Sequence, residues 1–422
     1  MRLTLDDGIY HFMGRDHDIN QFVLEYDPFE LKISSKYRLE RHQFWLTARS
    51  PAPAINMGEI ILSEQDLDIF DKDNSFPLAI NWEMDPYHGL ILQKIQGSLC
   101  GIKCNLIRDP SFNITSEQLF LTGELHANLQ KAQALLNPEI AAICSNWQIG
   151  HGYSLSGQWA FAKDSRPFNE SLTFQGEFSG RDFELGGYQF FRLNGLVGYS
   201  GNDLRAAQIT INDPSGDVQI NDVMLSKKAE GHWTIDVPSV IVSNFRPSLM
   251  HNSGEPPPTN AKALAIRQLN LHDFQGVLGD RSSYLAKGRF LFVNPPKRNL
   301  QHTIFALPAE LMSRLGLDFG VLNPVRGLVY FDINESKVIF TRFKDVYSKG
   351  RLSKFYLSNS GFQSCMDFDG NLDLKIRMKQ NNLLFKLAEL FTVTVQGNIK
   401  KPSYGLQRQE RSAHKNLLNR VK

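Results

Sequence analysis

The chain has 422 residues, of which 42% are hydrophobic, 11% aromatic and 21% charged. That is enough apolar surface for a large core, and it excludes intrinsic disorder for the bulk of the chain. With 46 Lys and Arg against 44 Asp and Glu, the net charge of +2 provides no global basic field for a polyanion, which argues against nucleic acid as the main partner.

The chain opens on Met1-Arg2-Leu3-Thr4-Leu5-Asp6-Asp7-Gly8, a strand running into a turn without the unbroken apolar run of a signal peptide. No segment reaches the ~18 to 20 consecutive apolar residues of a bilayer-crossing helix. In Leu31-Lys32-Ile33-Ser34-Ser35-Lys36-Tyr37-Arg38-Leu39-Glu40 the odd positions are apolar except Ser35, the period-two pattern of a strand with one buried face. From residue 119 onward a short motif recurs: apolar, x, apolar, x, Gly, x, apolar, with the named positions on one face. Its copies are Leu119-Leu121-Gly123-Leu125, Tyr153-Leu155-Gly157-Trp159, Leu172-Phe174-Gly176-Phe178, Phe191-Leu193-Gly195-Val197, Tyr284-Ala286-Gly288-Phe290, Met366-Phe368-Gly370-Leu372 and Val393-Val395-Gly397-Ile399. Glycine weakens a strand, so its recurrence in phase predicts bends or room where the sheet curls over its interior. The expected fold is mostly β, a long curved antiparallel sheet forming a groove, with a few short helices. Those helices are expected on either side of Asn137-Pro138, from Pro308 to Leu315, and from Leu383 to Phe391. The run Ser253-Gly254-Glu255-Pro256-Pro257-Pro258-Thr259-Asn260 predicts a linker or long loop. It separates an N-terminal repeat region, 1–252, from a C-terminal β region, 261–402, with a basic tail at 403–422. The stretch from Lys400 to Lys422 holds seven basic residues and one acid, Glu410, fit for anionic lipid or RNA or simply a solvated terminus.

The residues that could carry chemistry are few. Asp16-His17-Asp18 could orient a general base but reads as a loop after Gly14, with no nucleophile at a recognisable spacing. Gly150-His151-Gly152 lacks the strand-to-helix setting of a dinucleotide loop and reads as a turn. Cys100 and Cys104 would lie ~13 Å apart in one extended strand, too far for a disulfide. With Cys144 and Cys365 they are too few for a disulfide scaffold or a four-thiolate zinc site, and read as small buried hydrophobes. Asp6-Asp7 and Asp66-Asp68 cannot be assigned acid and base roles from spacing. No cofactor or metal is implied, and the expectation is a protein without catalytic residues.

In the C-terminal half, Leu307-Pro308-Ala309-Glu310-Leu311, Pro324-Val325-Arg326-Gly327-Leu328-Val329-Tyr330-Phe331 and Val338-Ile339-Phe340 form a series, followed by Phe368-Asp369-Gly370-Asn371-Leu372-Asp373-Leu374 and Val395-Gln396-Gly397-Asn398-Ile399-Lys400-Lys401-Pro402. This series resembles the C-terminal region of AsmA-like envelope proteins, relatives of TamB-like and YhdP-like proteins, over about 261–402. The resemblance implies a β-groove in the periplasm or cell envelope of a Gram-negative-type bacterium, a role in lipid transport and outer-membrane biogenesis, and one N-terminal inner-membrane helix. The sequence departs from that pattern in having no such helix, so an anchored inner-membrane partner or a missing N-terminal anchor is expected.

The expected groove floor carries Leu155, Trp159, Phe161, Leu172, Phe174, Phe178, Phe368, Leu372, Leu374 and Ile376, and its ligand is the acyl part of phospholipid, each buried CH₂ contributing about 0.8 kcal/mol. The alternatives are a β-sandwich or scaffold whose apolar face is a closed core and whose partners are proteins, and a carbohydrate-active β-solenoid enzyme. Periodicity alone does not separate a dry core from a lipid-filled trough.

Overall fold

In the computed structural model, the described residues are 1–6, 8–12, 15–39, 42–52, 56–66, 77–108, 118–134, 141–142, 144–145, 148–162, 171–228, 230–246, 249–252, 265–293, 324–348, 351, 353–358, 362–380, 389–398 and 403–408. Among the described residues strand accounts for 79% and helix for 4%, and no helix reaches seven residues. The fold is therefore mostly β, a curved antiparallel sheet, as the alternation predicts.

The chain forms two compact units. The first comprises Met1–Asp213, Asp222–Trp233 and Asn252–Glu255; the second comprises Pro214–Asn221, Thr234–His251 and Pro256–Lys422. The proline run itself lies outside the described residues.

In the first unit β1 (Arg2–Leu5) and β2 (Gly8–Phe12) both pair with β3 (Arg15–Tyr26). From there the chain is a meander in which each strand pairs with the next: β4 (Glu30–Leu39), β5 (His42–Pro51), β6 (Met57–Asp66), β7 (Leu78–Asp85), β8 (Gly89–Leu99), β9 (Ile102–Arg108), β10 (Gln118–Ala127), β11 (Tyr153–Ala162), β12 (Leu172–Leu185), β13 (Tyr188–Ser200) and β14 (Asp203–Asp213). Next in sequence are β15 (Gly216–Lys227), β16 (Trp233–Phe245) and β17 (His251–Asn252). In the second unit β16 pairs with β18 (Ala265–Val277), then β18 with β19 (Leu285–Val293), β19 with β20 (Pro324–Asn334) and β20 with β21 (Lys337–Ser348). Both β22 (Ser353–Leu357) and β23 (Cys365–Asp367) bridge β21 to β24 (Asn371–Gln380), which continues to β25 (Glu389–Asn398) and β26 (Ser403–Arg408).

Two devices bend these strands. The first is the bulge, which inserts a residue, kinks the strand and raises its twist. Register shifts occur within β13–β14 and β18–β19, with Gln208 (φ 53°) and Asp273 (φ 54°) in the left-handed region beside them. The second is glycine facing an aromatic ring. A side-chain carbon at Gly195 would stand 2.3 Å from the Phe178 ring, at Gly288 2.3 Å from Phe331, at Gly276 2.5 Å from Tyr284 and at Gly58 2.6 Å from Trp82. Gly195 and Gly288 of the repeat, with Gly58 and Gly276 outside it, are seats for rings, a use of glycine in sheets that stabilises an otherwise weak position.

Several expectations change. Asp16-His17-Asp18 lies within β3 rather than in a loop. Cys100 and Cys104 do not share a strand: Cys100 (φ 45°) and Gly101 (φ 75°) form the two-residue turn between β8 and β9. Neither Cys100 nor Cys104 is in a disulfide, and both are buried. The copy Met366-Phe368-Gly370-Leu372 is interrupted by the turn between β23 and β24, across which Met366 faces Leu372. Phe368 therefore sits in that turn rather than on a strand. Lys131–Ala134 is a 3-10 turn in the region where a helix is expected before Asn137. The segment Pro308 to Leu315 lies outside the described residues, and the last three residues of the expected Leu383–Phe391 helix belong to β25. Ser403–Arg408, expected as the start of a tail, is a strand paired with β25.

Candidate functional site

The sequence-predicted floor falls in two places, one in each unit.

In the second unit Leu372 (4% exposed), Leu374 (0%) and Ile376 (7%) belong to a core with Phe290, Phe292, Val329, Phe331, Phe340, Phe343, Val346, Phe355, Met378, Val393 and Val395. Strict alternation of buried and exposed residues along β19 shows how completely this face is covered. Phe368 packs elsewhere, its ring centroid 6.4 Å from that of Tyr284. Leu372, Leu374 and Ile376 are thus covered within this core, and Phe368 is half-buried in its turn.

In the first unit the six remaining residues lie on one face of β11 and β12, and cross-strand register arranges them in rows. One row runs Leu119, Phe161, Leu172, and the next Leu121, Trp159, Phe174, Tyr199. The third row is Leu106, Gly123, Gly157, Gly176, Val197, and the fourth Cys104, Leu125, Leu155, Phe178, Gly195. Three glycines stand side by side on neighbouring strands, so an apolar face is crossed by a lane without side chains. At Gly123 and Gly157 the three atoms nearest to an added side-chain carbon are all backbone, between 2.1 and 3.0 Å away, so no larger residue fits without moving the neighbouring strand. At Gly176 the Phe174 ring also reaches within 2.9 Å of that point. With strands ~4.8 Å apart the three glycines span about 10 Å across the sheet, the length of roughly eight methylenes.

The walls of the lane differ in depth. Trp159, Phe174, Leu121, Cys104 and Leu106 are buried, while Leu125, Leu155, Phe161, Leu172, Val197 and Tyr199 pack against them half-buried. Phe178 is also half-buried, its ring over Gly195. The rings of Trp159 and Phe174 stand 4.2 Å apart at an interplanar angle of 43°. The opposite face of β11 and β12 is polar, with Ser154 and Ser179 hydrogen-bonded at 2.7 Å. On the apolar side the indole N–H of Trp159 is buried and has no hydrogen-bond acceptor among the described residues.

The sequence reading missed Leu121, Gly123 and Leu125 as members of this site. The signal was present, since they form the first copy of the repeated motif, but only strand register shows that Gly123 faces Gly157.

The other candidates are structural. At Gly150-His151-Gly152 the imidazole Nδ1 of His151 lies 3.5 Å from Glu184 Oε2, and Tyr153 donates its hydroxyl to the Glu184 carbonyl. Burial, then the nearby charges of Glu184 and Cys144, push the Tyr153 phenol well above its ordinary range. Burial also pushes the Cys104 and Cys144 thiols up, away from the thiolate that reactive cysteine needs. Among the described residues no group of three or more His, Cys, Asp or Glu is placed to hold a metal ion. An open cleft of about 620 Å³ lies at the ends of β5, β6 and β7, lined by residues including Arg49, Glu59, Asn81 and Glu83. Gln93 donates to Glu83 there at 2.7 Å.

No family model, curated protein or solved structure matches this chain.

Proposed function

We propose that this chain is a non-enzymatic protein of the bacterial cell envelope that shelters phospholipid acyl chains on an apolar β-trough and passes them between membranes in support of outer-membrane homeostasis. The observation that carries this reading is the glycine lane of the first unit, with Gly123, Gly157 and Gly176 as floor and Trp159, Phe174, Leu155 and Phe178 beside it. An acyl segment of about eight methylenes laid there would gain up to roughly 6 kcal/mol at about 0.8 kcal/mol per buried CH₂. Headgroups stay in water, and sliding along a uniform apolar floor needs no catalytic group. The envelope setting rests on the AsmA-like resemblance.

A scaffold that binds protein is the second reading, favoured by the fully buried apolar face of the second unit. The test is mass spectrometry of organic extracts from the purified protein beside the Leu155→Asp, Leu172→Asp double variant. Leu155 is half-buried beside the lane and Leu172 is half-buried one row beyond Trp159 and Phe174, and neither belongs to the buried base. Co-purifying phospholipid that the folded variant loses is the expected result. Folded wild-type protein free of lipid would overturn the trough and leave the scaffold.

A further inference from the structure

A buried hydrogen-bond donor without an acceptor is uncommon in a folded protein and calls for a partner that completes it. Trp159 is such a case: it is 8% exposed, its Nε1 carries no hydrogen bond among the described residues, and the other buried members of its cluster, Leu121, Phe174, Cys104 and Leu106, are apolar or thiol groups, with the half-buried Tyr199 packed against them. It occupies the row next to the glycine lane, directly across from Phe174 and two residues along β11 from Gly157. Tryptophan contributes two things at once here, an apolar plate for packing and one polar handle. Phenylalanine would supply the plate alone.

We infer that the Trp159 indole N–H is the polar anchor of the trough, donating to the carbonyl oxygen of an acyl chain seated in the glycine lane. This rests on the trough reading and adds to it a specificity for acyl groups over plain alkyl chains. The chain enters by displacing the half-buried Leu155, Phe161 and Leu172, which are the movable side chains around the ring, while Leu121 and Phe174 stay as its bed. An ester or carboxyl oxygen then fills the acceptor position that the protein leaves empty. An ether oxygen is a much poorer acceptor than a carbonyl, so a diether lipid of the same length and headgroup covers the same apolar surface and leaves the N–H unsatisfied. Leaving one buried donor unmade corresponds to a preference on the order of tenfold.

The experiment offers the full chain equal amounts of diester phosphatidylethanolamine and its diether analogue of equal chain length, and quantifies the bound lipids by mass spectrometry. A parallel arm uses free fatty acid of that length, to distinguish an ester carbonyl from a free carboxyl as the acceptor. The expected result is about tenfold enrichment of the diester lipid over the diether, with Trp159→Phe still binding lipid but taking both alike. Enrichment of fatty acid over both phospholipids would support the donor with a free carboxyl as its partner. Equal uptake by the wild type, or a preference that survives in Trp159→Phe, would overturn the anchor and leave the trough standing. No bound lipid of any kind would overturn both. A second readout needs no variant: of the five tryptophan indole ¹⁵N–H resonances, one should move downfield with diester lipid and not with diether.

Discussion

Replacing Gly288 by alanine tests whether the glycines of this sheet are seats for rings. Gly288 on β19 faces Phe331 on β20, and an added methyl carbon would lie 2.3, 2.7 and 2.8 Å from three carbons of that ring. The Phe331 ring is 6% exposed and stacks near Phe290 at 6.0 Å, so it has little room to retreat. Overpacking of this kind costs typically 1–3 kcal/mol, offset by up to ~1 kcal/mol because alanine loses less backbone entropy than glycine. The expected net cost of Gly288→Ala is about 1–2 kcal/mol. Phe331→Leu alone should cost about 1–2 kcal/mol as a cavity, yet the smaller side chain makes room for the methyl. The double variant should therefore be less destabilised than the sum by about 1 kcal/mol or more, a coupling readable from urea unfolding followed by circular dichroism. Additive costs, or a neutral Gly288→Ala, would refute the ring-seat account. Gly157→Ala is the contrasting case: its nearest neighbours are the Gln175 carbonyl oxygen at 2.3 Å and the Gly176 Cα at 2.6 Å, so truncating Phe174 should not rescue it.

The two halves of the predicted floor should differ in the cost of truncation. Leu374→Ala, at a residue 0% exposed, should lose about 2–5 kcal/mol, whereas Leu155→Ala on the half-buried wall should lose about 1 kcal/mol, and equal losses in thermal denaturation would contradict the distinction between closed core and open trough. Four aspartates at turns hold their carboxyls below the ordinary range: Asp27 through the Phe29 and Glu30 amides, Asp85 through the Tyr87 amide and His88, Asp280 through the Ser282 hydroxyl and amide, and Asp367 through the Asn371 side chain and amide. Because each folded value lies below the unfolded one near 3.8, their stabilisation is complete above that pH and is lost as the pH falls through the lowered folded values. Asp367→Asn should flatten the fall of the urea midpoint between pH 5 and pH 2.5, and a curve parallel to the wild type would show that this turn contributes nothing to acid sensitivity.

Strand identity was legible because period-two alternation in stretches such as Leu31–Leu39 suits a pleated strand, and that stretch is β4, paired with β5 along its length. Turns were less legible. Cys100-Gly101 carries no Asn-Gly or Pro signal, so two strands joined by a two-residue turn read as one. Asp369-Gly370 does carry an Asp-Gly turn signal, but it sits in phase with the alternation on both sides and reads as strand. The expected Leu383–Phe391 helix overlaps β25 because short apolar runs fit helix and strand alike. The repeated glycine was visible and its use was not: the ring that fills each seat belongs to a neighbouring strand or a distant turn, and the row Gly123, Gly157, Gly176 exists only once three strands are in register. Burial was the hardest to read, since Leu155 and Leu374 sit in similar alternating patterns while one is half-buried and the other fully covered.

From β3 to β13 each strand is hydrogen-bonded to the one that precedes it and the one that follows, and several of the connections are as short as Cys100-Gly101, Gly186-Gly187 and Gly201-Asn202. Each of these short hairpins closes a loop of two residues, at small entropic cost, and its contacts are local in sequence. Such a chain has low contact order for an all-β protein. It can fold as a zipper, with every new strand docking on the edge of those already formed, so its growing edge is the part most exposed to mispairing until the next strand arrives.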